Sequence, residues 1–263
     1  MPKIADIVDL FELRIPSRMK MDFDNVGLLV GTSDAEVRKV LVSLDITDEV
    51  INEAKELKAE LIVSHHPLFF ELKSITNTTG VGRKVIELLT NRISAVCLHT
   101  NLDAADGGVN DVLMTKLGGK VTDVLKPAGE YPDGRIYGIG RIGMLLSPTS
   151  FERFLEVAKT SLNANGLRYH NAGRQVHKIA CCGGSGGDEL DAAAEAGCDT
   201  YVTSDIKYNR FLSAKEYGIN LIDGDHFCTE NVVTAVIADM LAEGFGDLKI
   251  KISEAHRQTI EFC

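Results

Sequence analysis

No run in this 263-residue sequence approaches the ~18 consecutive apolar residues of a membrane-spanning helix, so no transmembrane segment is expected. The opening stretch MPKIADIVDLFELRIP lacks the basic start and apolar core of a secretory signal. It carries acidic residues and reads as an amphipathic helix, which leaves the cytoplasm as the expected location. Six cysteines fall at 97, 181, 182, 198, 228 and 263 without a single C-x-x-C pair. That argues against a Cys-rich zinc site or a disulfide framework and for reduced, mostly buried thiols. Lys/Arg clusters are also missing, and 28 basic residues face 38 acidic ones for a net charge of −10. Such a surface repels phosphate backbones, so nucleic acid is not an expected partner. The Gly-rich turn GGSGG (183–187) has no G-K-[ST] ending and no G-x-G-x-x-G register, so neither a phosphate-binding loop nor a dinucleotide fingerprint is met there, and Ser64 before the histidine pair sits in no G-x-S-x-G elbow.

What is present is an alternation of two periods. Residues 37–46, 59–65 and 93–100 read as strands, and 47–57, 82–91 and 107–119 as helices, the first with Thr47 as a capping candidate. Strand–helix–strand order predicts a parallel sheet. The Pro/Gly/Asp-bearing stretch 125–135 reads as a loop or lobe junction. Beyond it, 135–146 looks like one or two strands, and 148–164 like a helix capped by Thr149 or Ser150. Strands are expected at 175–184, 199–205, 219–226 and 248–254, and helices at 188–197, 208–218 and from the last cluster to about Gly244. KAELIVSHH and AGCDTYVTSD share a layout, as do RISAVCLHTNLD and GINLIDGDH. The fold class is therefore α/β, with two related lobes and mostly parallel central sheets. The junction sets the first lobe at 1–126 and the second at 127–245.

In open α/β sheets ligands gather beyond the carboxyl ends of the strands. Four polar clusters take that position: His65-His66 after LIV, His99-x-x-x-Asp103 after AVCL, Asp205 after YVT, and Asp223-x-Asp225-His226 after INLI. Glu230 follows His226 by four residues, which on a helix places both on one face roughly 5–6 Å apart. Adjacent strand residues point to opposite faces. His65 and His66 can converge only where the strand ends, and Pro67 favours that ending. Taken singly, each histidine reads as structural or surface and each carboxylate as solvated. Their joint placement at strand ends is what points to metal. His65, His66, Asp103, His226 and Glu230 exceed the three protein ligands of a usual catalytic zinc and suit two divalent ions sharing a bridging carboxylate. Nitrogen and oxygen donors without thiolate fit Zn, Mn, Fe, Co or Ni.

The chain also resembles a family at these residues. DNVGLLVG (24–31), SHHPLFF (64–70), HTNLDAADGGVND (99–111), GGSGGDEL (183–190), TSDIKY (203–208) and LIDGDHFCTE (221–230) occur in the order found in the Nif-three-like proteins, catalogued as GTP cyclohydrolase 1 type 2 homologues. The resemblance runs nearly end to end. It implies the Nif-three-like fold, with residues 246–263 returning to the first lobe, and a toroidal homohexamer whose metal sites face an internal cavity. It implies a dinuclear centre on His65, His66, Asp103, His226 and Glu230, and the compact form without a middle inserted domain. Three positions depart from the family pattern: Phe23 where Trp is usual, Asn209 where His is frequent, and Asp225 where Gly is frequent. The missing histidine at 209 weakens any general acid placed there.

Other residues are secondary candidates. His99 is expected to orient a ligand. Gly184, Ser185 and Gly186 form either a tight turn or a backbone anion cradle. Asp205 and Lys207 stand near the expected site, and Cys228 is expected to pack away from the His226–Glu230 face. The leading expectation is a dinuclear metal-dependent hydrolase in which a metal-bound hydroxide attacks a small, anionic, nucleotide- or pterin-like substrate. The alternative is a non-catalytic ring-shaped regulatory or metal-chaperone protein using the same ligands.

Overall fold

The computed structural model describes all of residues 1–263. The chain forms two compact units, Met1–Leu102 with Val233–Arg257, and Asp103–Val232 with Gln258–Cys263.

The first unit opens with α1 (Ile4–Arg14), which buries Ile4, Ile7 and Phe11. Then come β1 (Gly27–Val30), β2 (Lys39–Ser43), α2 (Asp48–Leu57), β3 (Leu61–Ser64), α3 (Gly80–Thr90) and β4 (Ser94–Cys97). The Thr47 hydroxyl caps α2 by accepting from Val50 N, and Thr79 caps α3 in the same way. Strands β3 and β4 are buried at every position, as strands covered on both faces must be, and that is why they read as continuous apolar runs. β2, β3 and β4 pair in parallel, and β1 joins β4 antiparallel.

α4 (Thr100–Ala104) leads into the second unit: α5 (Val109–Lys116), β5 (Gly119–Glu130), β6 (Ile136–Thr149), α6 (Phe151–Ser161), β7 (Arg168–His170), β8 (Val176–Cys181), α7 (Leu190–Glu195), β9 (Thr200–Thr203), α8 (Tyr208–Tyr217), β10 (Asn220–Asp223) and α9 (His226–Glu230). Its six-stranded sheet runs β5-β6-β8-β9-β10-β7. Only β8-β9-β10 are parallel, so this sheet is mixed. Leu113, Phe151, Phe154, Ile179, Val202 and Ile222 form the heart of its core. The chain then re-enters the first unit as α10 (Thr234–Gly244) and β11 (Lys249–Ile252), and β11 pairs in parallel with β2.

Three local readings change. The 125–135 stretch is no junction: β5 continues to Glu130, and Tyr131–Arg135 closes a hairpin into β6. Pro127 is tolerated because β5 is an edge strand with a bulge between Pro127 and Gly129. The boundary between units falls instead at 102/103. The helix expected from the last cluster to Gly244 is broken at 231–233, where Asn231 and two β-branched valines disfavour continuous α-helix. β7 adds three residues that carry no periodic signal.

Candidate metal centre

In the first unit, β3 delivers both histidines. The backbone amides of His65 and His66 keep hydrogen bonds to Ser43 O and Leu44 O, while Ser64 Oγ donates to His66 O. The chain leaves the strand there, and the two rings lie 5.1 Å apart between centroids. His99, between β4 and α4, brings a third ring 5.3 Å from His65 and 5.6 Å from His66. The ligand atoms of the three fall within 4.8 Å of one another.

Each ring is held through Nδ1. His65 Nδ1 meets Leu98 O at 2.8 Å, His66 Nδ1 meets Asp45 Oδ1 at 2.8 Å, and His99 Nδ1 meets Asp24 Oδ1 at 2.8 Å. Carbonyls and carboxylates only accept, so Nδ1 carries a hydrogen in all three rings, and in the neutral form of each the lone pair is on Nε2. Burial opposes the charge of Asp24, but hydrogen bonds from His99 and Thr100 overcome it and hold the carboxyl well below the usual range. Asp45 also lies 3.2 Å from His256 Nε2.

In the second unit, α9 places His226 Nε2 2.9 Å from Glu230 Oε2, as the four-residue spacing predicts. His226 Nδ1 meets Asp205 Oδ2 at 2.7 Å, the same tautomer-fixing arrangement. Burial disfavours the cation, yet hydrogen bonds to Asp205 and Glu230 push the His226 imidazole up to about 11. Two carboxylates focused on one ring make a field that draws in positive charge. The hydrogen bond from His226 in turn lowers the Asp205 carboxyl. Asp225, at φ 70° and ψ 138°, sits in a conformation L-residues rarely adopt. Its side chain nevertheless caps α9 through Cys228 N, which fixes the helix that carries His226 and Glu230.

The Gly-rich turn lies against this pair. Gly184 has φ +63°, and a Cβ there would come 2.0 Å from Glu230 Oε1 and 3.2 Å from His226 Nε2. Three of its amides are engaged inside the protein: Gly183 N with Asn110 Oδ1, Gly184 N with Thr229 Oγ1, and Gly186 N with Thr203 Oγ1. The turn therefore supplies close approach at Gly184 and leaves those amides no capacity for an anion. Ser185 and Lys207 are exposed, the latter at the N-cap of α8. Asp103 stands on α4, and its carbonyl accepts from Asn110 Nδ2 at 2.9 Å. Arg141, 1% exposed, grips the turn after it through Ala104 O, Ala105 O and both Asp111 oxygens.

Asp45, Asn110, Arg141 and His256 escaped the sequence reading as supporting residues, although Asn110 lies within HTNLDAADGGVND; Asp24, in DNVGLLVG, reads from sequence as either a turn cap or a cavity residue. Cys228 is buried in the core, as expected, and its thiol is pushed up to about 12 by burial and by Asp225. With that thiol turned into the core, the donors at hand are imidazoles and carboxylates. Each donor group suits a divalent transition metal: in the first unit imidazoles held from behind through Nδ1, and in the second an imidazole and carboxylate side by side, with a glycine where any side chain would intrude.

A family model described as Duf34/NIF3 (NGG1p interacting factor 3) matches residues 2–259. A Clostridium perfringens protein named GTP cyclohydrolase 1 type 2 homolog is 36% identical over 263 residues, covering 99% of each chain. A Staphylococcus aureus relative of the same name aligns at 27% identity over 351 positions, so it carries inserted sequence that this chain lacks. Among solved structures, a Bacillus cereus protein related to NIF3 superposes with a TM-score of 0.92 at 26% identity, covering 100% of this chain and 99% of its own. Reduced HcgD from Methanocaldococcus jannaschii gives a TM-score of 0.77 at 28% identity, covering 96% and 98%.

Proposed function

The chain belongs to the Duf34/NIF3 family, and we propose that it is a dinuclear metal-dependent hydrolase. His65, His66, Asp103, His226 and Glu230 would hold two divalent transition-metal ions. The observation that carries this reading is the fixing of the imidazoles: His65 and His66 each have Nδ1 tied to an oxygen acceptor, which turns Nε2 to a ligand role, and His226 is held between the Asp205 and Glu230 carboxylates, whose field an ion would answer in place of its proton. When bound, such an ion pair supplies Lewis acidity and makes water acidic enough to act as a nucleophile near neutral pH. The protein's share is positional. Leu98 O, Asp45 and Asp205 aim the rings, and the Gly184 turn keeps Glu230 within reach of His226.

The substrate class we assign is small and anionic, nucleotide- or pterin-like, with a hydrolysable C–N or phosphoester centre. The name shared by the relatives, GTP cyclohydrolase 1 type 2 homolog, supports that class. We place the protein in the cytoplasm as a toroidal homohexamer. No helix is long and apolar enough to cross a membrane. The test is turnover by metal-loaded protein on a panel of nucleoside triphosphates, reduced pterins and phosphoesters, compared with chelator-treated protein. Metal-dependent hydrolysis of one class supports the proposal. Full metal loading with no turnover on any class would overturn the hydrolase and leave a metal-binding regulatory or chaperone protein.

A further inference from the structure

We propose that Phe23 and Phe70 form an aromatic platform that binds the planar ring of the substrate and so restricts the site to ring-bearing anions. This specificity rests on the hydrolase reading, because it concerns the substrate of the same site. It also narrows that reading, since simple phosphoesters without a heterocycle fall outside the class.

Two loops of the first unit bring the rings together. Phe70 ends SHHPLFF, and Phe23 precedes the Asp24 that holds His99. The ring centroids of Phe23 and Phe70 lie 5.9 Å apart at an interplanar angle of 57°. The Phe70 ring lies another 5.9 Å from the His99 ring. Both separations fall in the roughly 4.5–7 Å range of aromatic pairs. A platform two rings long therefore starts beside the imidazole cluster.

Exposure is the second observation. Phe23 is 64% exposed and Phe70 51%. Lack of a core does not explain this, because Leu68, Phe69 and Leu72 on either side of Phe70 pack against the core of the first unit. The backbone beside each ring is held by polar bonds. Asn25 Nδ2 donates to Phe69 O at 3.0 Å and ties one loop to the other. Lys20 Nζ donates to Asp24 O at 2.7 Å, and Met21 N donates to Thr100 Oγ1 at 2.9 Å. The phenyl–phenyl contact is thus not what holds these loops together. Rings fixed before binding lose little freedom when a ligand arrives.

The size and chemistry of the patch select its occupant. Two phenyls a little more than half exposed offer at most about 300 Å². A stable protein interface needs roughly 800 Å² from each partner. Asp22, Glu71 and Lys73 beside the rings are exposed and charged, and interface cores are poor in such residues. A fused heterocycle matches the two rings in scale. A purine or pterin laid on one phenyl turns its face to that ring and its edge to the tilted other, and aromatic groups favour both geometries. A heterocycle over Phe70 has the imidazole cluster as its next neighbour.

The chain contains no tryptophan, so Phe23→Trp installs a single tryptophan fluorophore on the platform. Full-length, metal-loaded protein is titrated with GTP, with a reduced pterin and with inorganic triphosphate, which has the anion but no ring. Calorimetry reads affinity for wild type, Phe23→Leu and Phe70→Leu, light scattering reads assembly, and thermal melts read folding. Each leucine variant should bind the ring-bearing probe about 5–150-fold more weakly than wild type, the range for one lost base–aromatic stack, with triphosphate affinity unchanged. Phe23→Trp should keep wild-type affinity, and its emission should be quenched as the ring-bearing probe saturates. Equal affinities in wild type and folded leucine variants would overturn the platform. So would wild type that binds neither ring-bearing probe more tightly than triphosphate, or leucine variants that break into smaller particles. Should a leucine variant fail to fold, Phe23→Trp decides, and emission unchanged at saturating probe overturns the platform. Metal-dependent turnover alongside unaffected leucine variants would leave the hydrolase standing without the platform. Ring-selective binding without turnover would leave the platform and remove the hydrolase.

Discussion

At the scale of single residues, Gly184 and Asp24 do opposite things for the site. Gly184 contributes by having no side chain. A methyl group there would stand 2.0 Å from Glu230 Oε1, so the carboxylate must swing away from His226. Gly184→Ala should therefore abolish tight metal retention, measured by chelator competition, while costing only about 1–2 kcal/mol of stability from the positive φ. A variant that retained metal as wild type does would show that Glu230 is not held by this turn. Asp24 contributes by being charged. Its carboxyl is depressed in the folded state, so the stability it gives is present above the unfolded value of ~3.9 and is lost as pH falls through the folded value. The urea midpoint of wild type should fall between pH 5 and pH 2 more steeply than that of Asp24→Asn. Asp24→Asn should be the less stable at pH 7, by roughly 1.5–3 kcal/mol for hydrogen bonds to a charged group. Parallel pH profiles would contradict this account.

At the scale of elements, local chemistry was legible in the sequence and distant partnership was not. Thr47 and Ser150 announced the starts of α2 and α6, and both hydroxyls accept from the amide three residues on. The apolar runs before His65 and His99 announced β3 and β4 because both faces of those strands are buried. The His226–Glu230 pair followed from helical spacing alone. The partners that aim these groups did not show, since Asp24 lies 75 residues from His99 and Asn110 lies 73 from Gly183. No periodicity spans such separations. The hairpin of β5 and β6 was hidden for another reason: Pro127 mimics a loop signal that an edge bulge absorbs. Arg141 on β6 is the sharpest case, a buried cation binding the α4–α5 turn and Asp111. Arg141→Met should destabilise the protein by about 3–5 kcal/mol in chemical denaturation, because it strands the Asp111 carboxylate. A loss below about 1 kcal/mol would mean that the α4–α5 turn holds itself.

At the scale of the whole molecule, the sequence carried the family through six short motifs in order, and the match over residues 2–259 agrees with that reading. The two units share a plan, a run of parallel strands ending in an antiparallel edge strand: β11-β2-β3-β4 with β1 next to β4, and β8-β9-β10 with β7 next to β10. The proposed ligands follow the carboxyl ends of parallel strands in each, His65 and His66 after β3 and His226 after β10. The proposed toroidal hexamer predicts a particle six times the 28.6 kDa chain mass by light scattering, and a monomer would contradict it. The central claim is the metal centre, and metal content per chain tests it most directly. Plasma mass spectrometry on anaerobically purified wild type and Asp103→Ala should give about two transition-metal ions per wild-type chain and fewer in the variant. Metal-free wild type that takes up neither Zn(II) nor Mn(II) would contradict it.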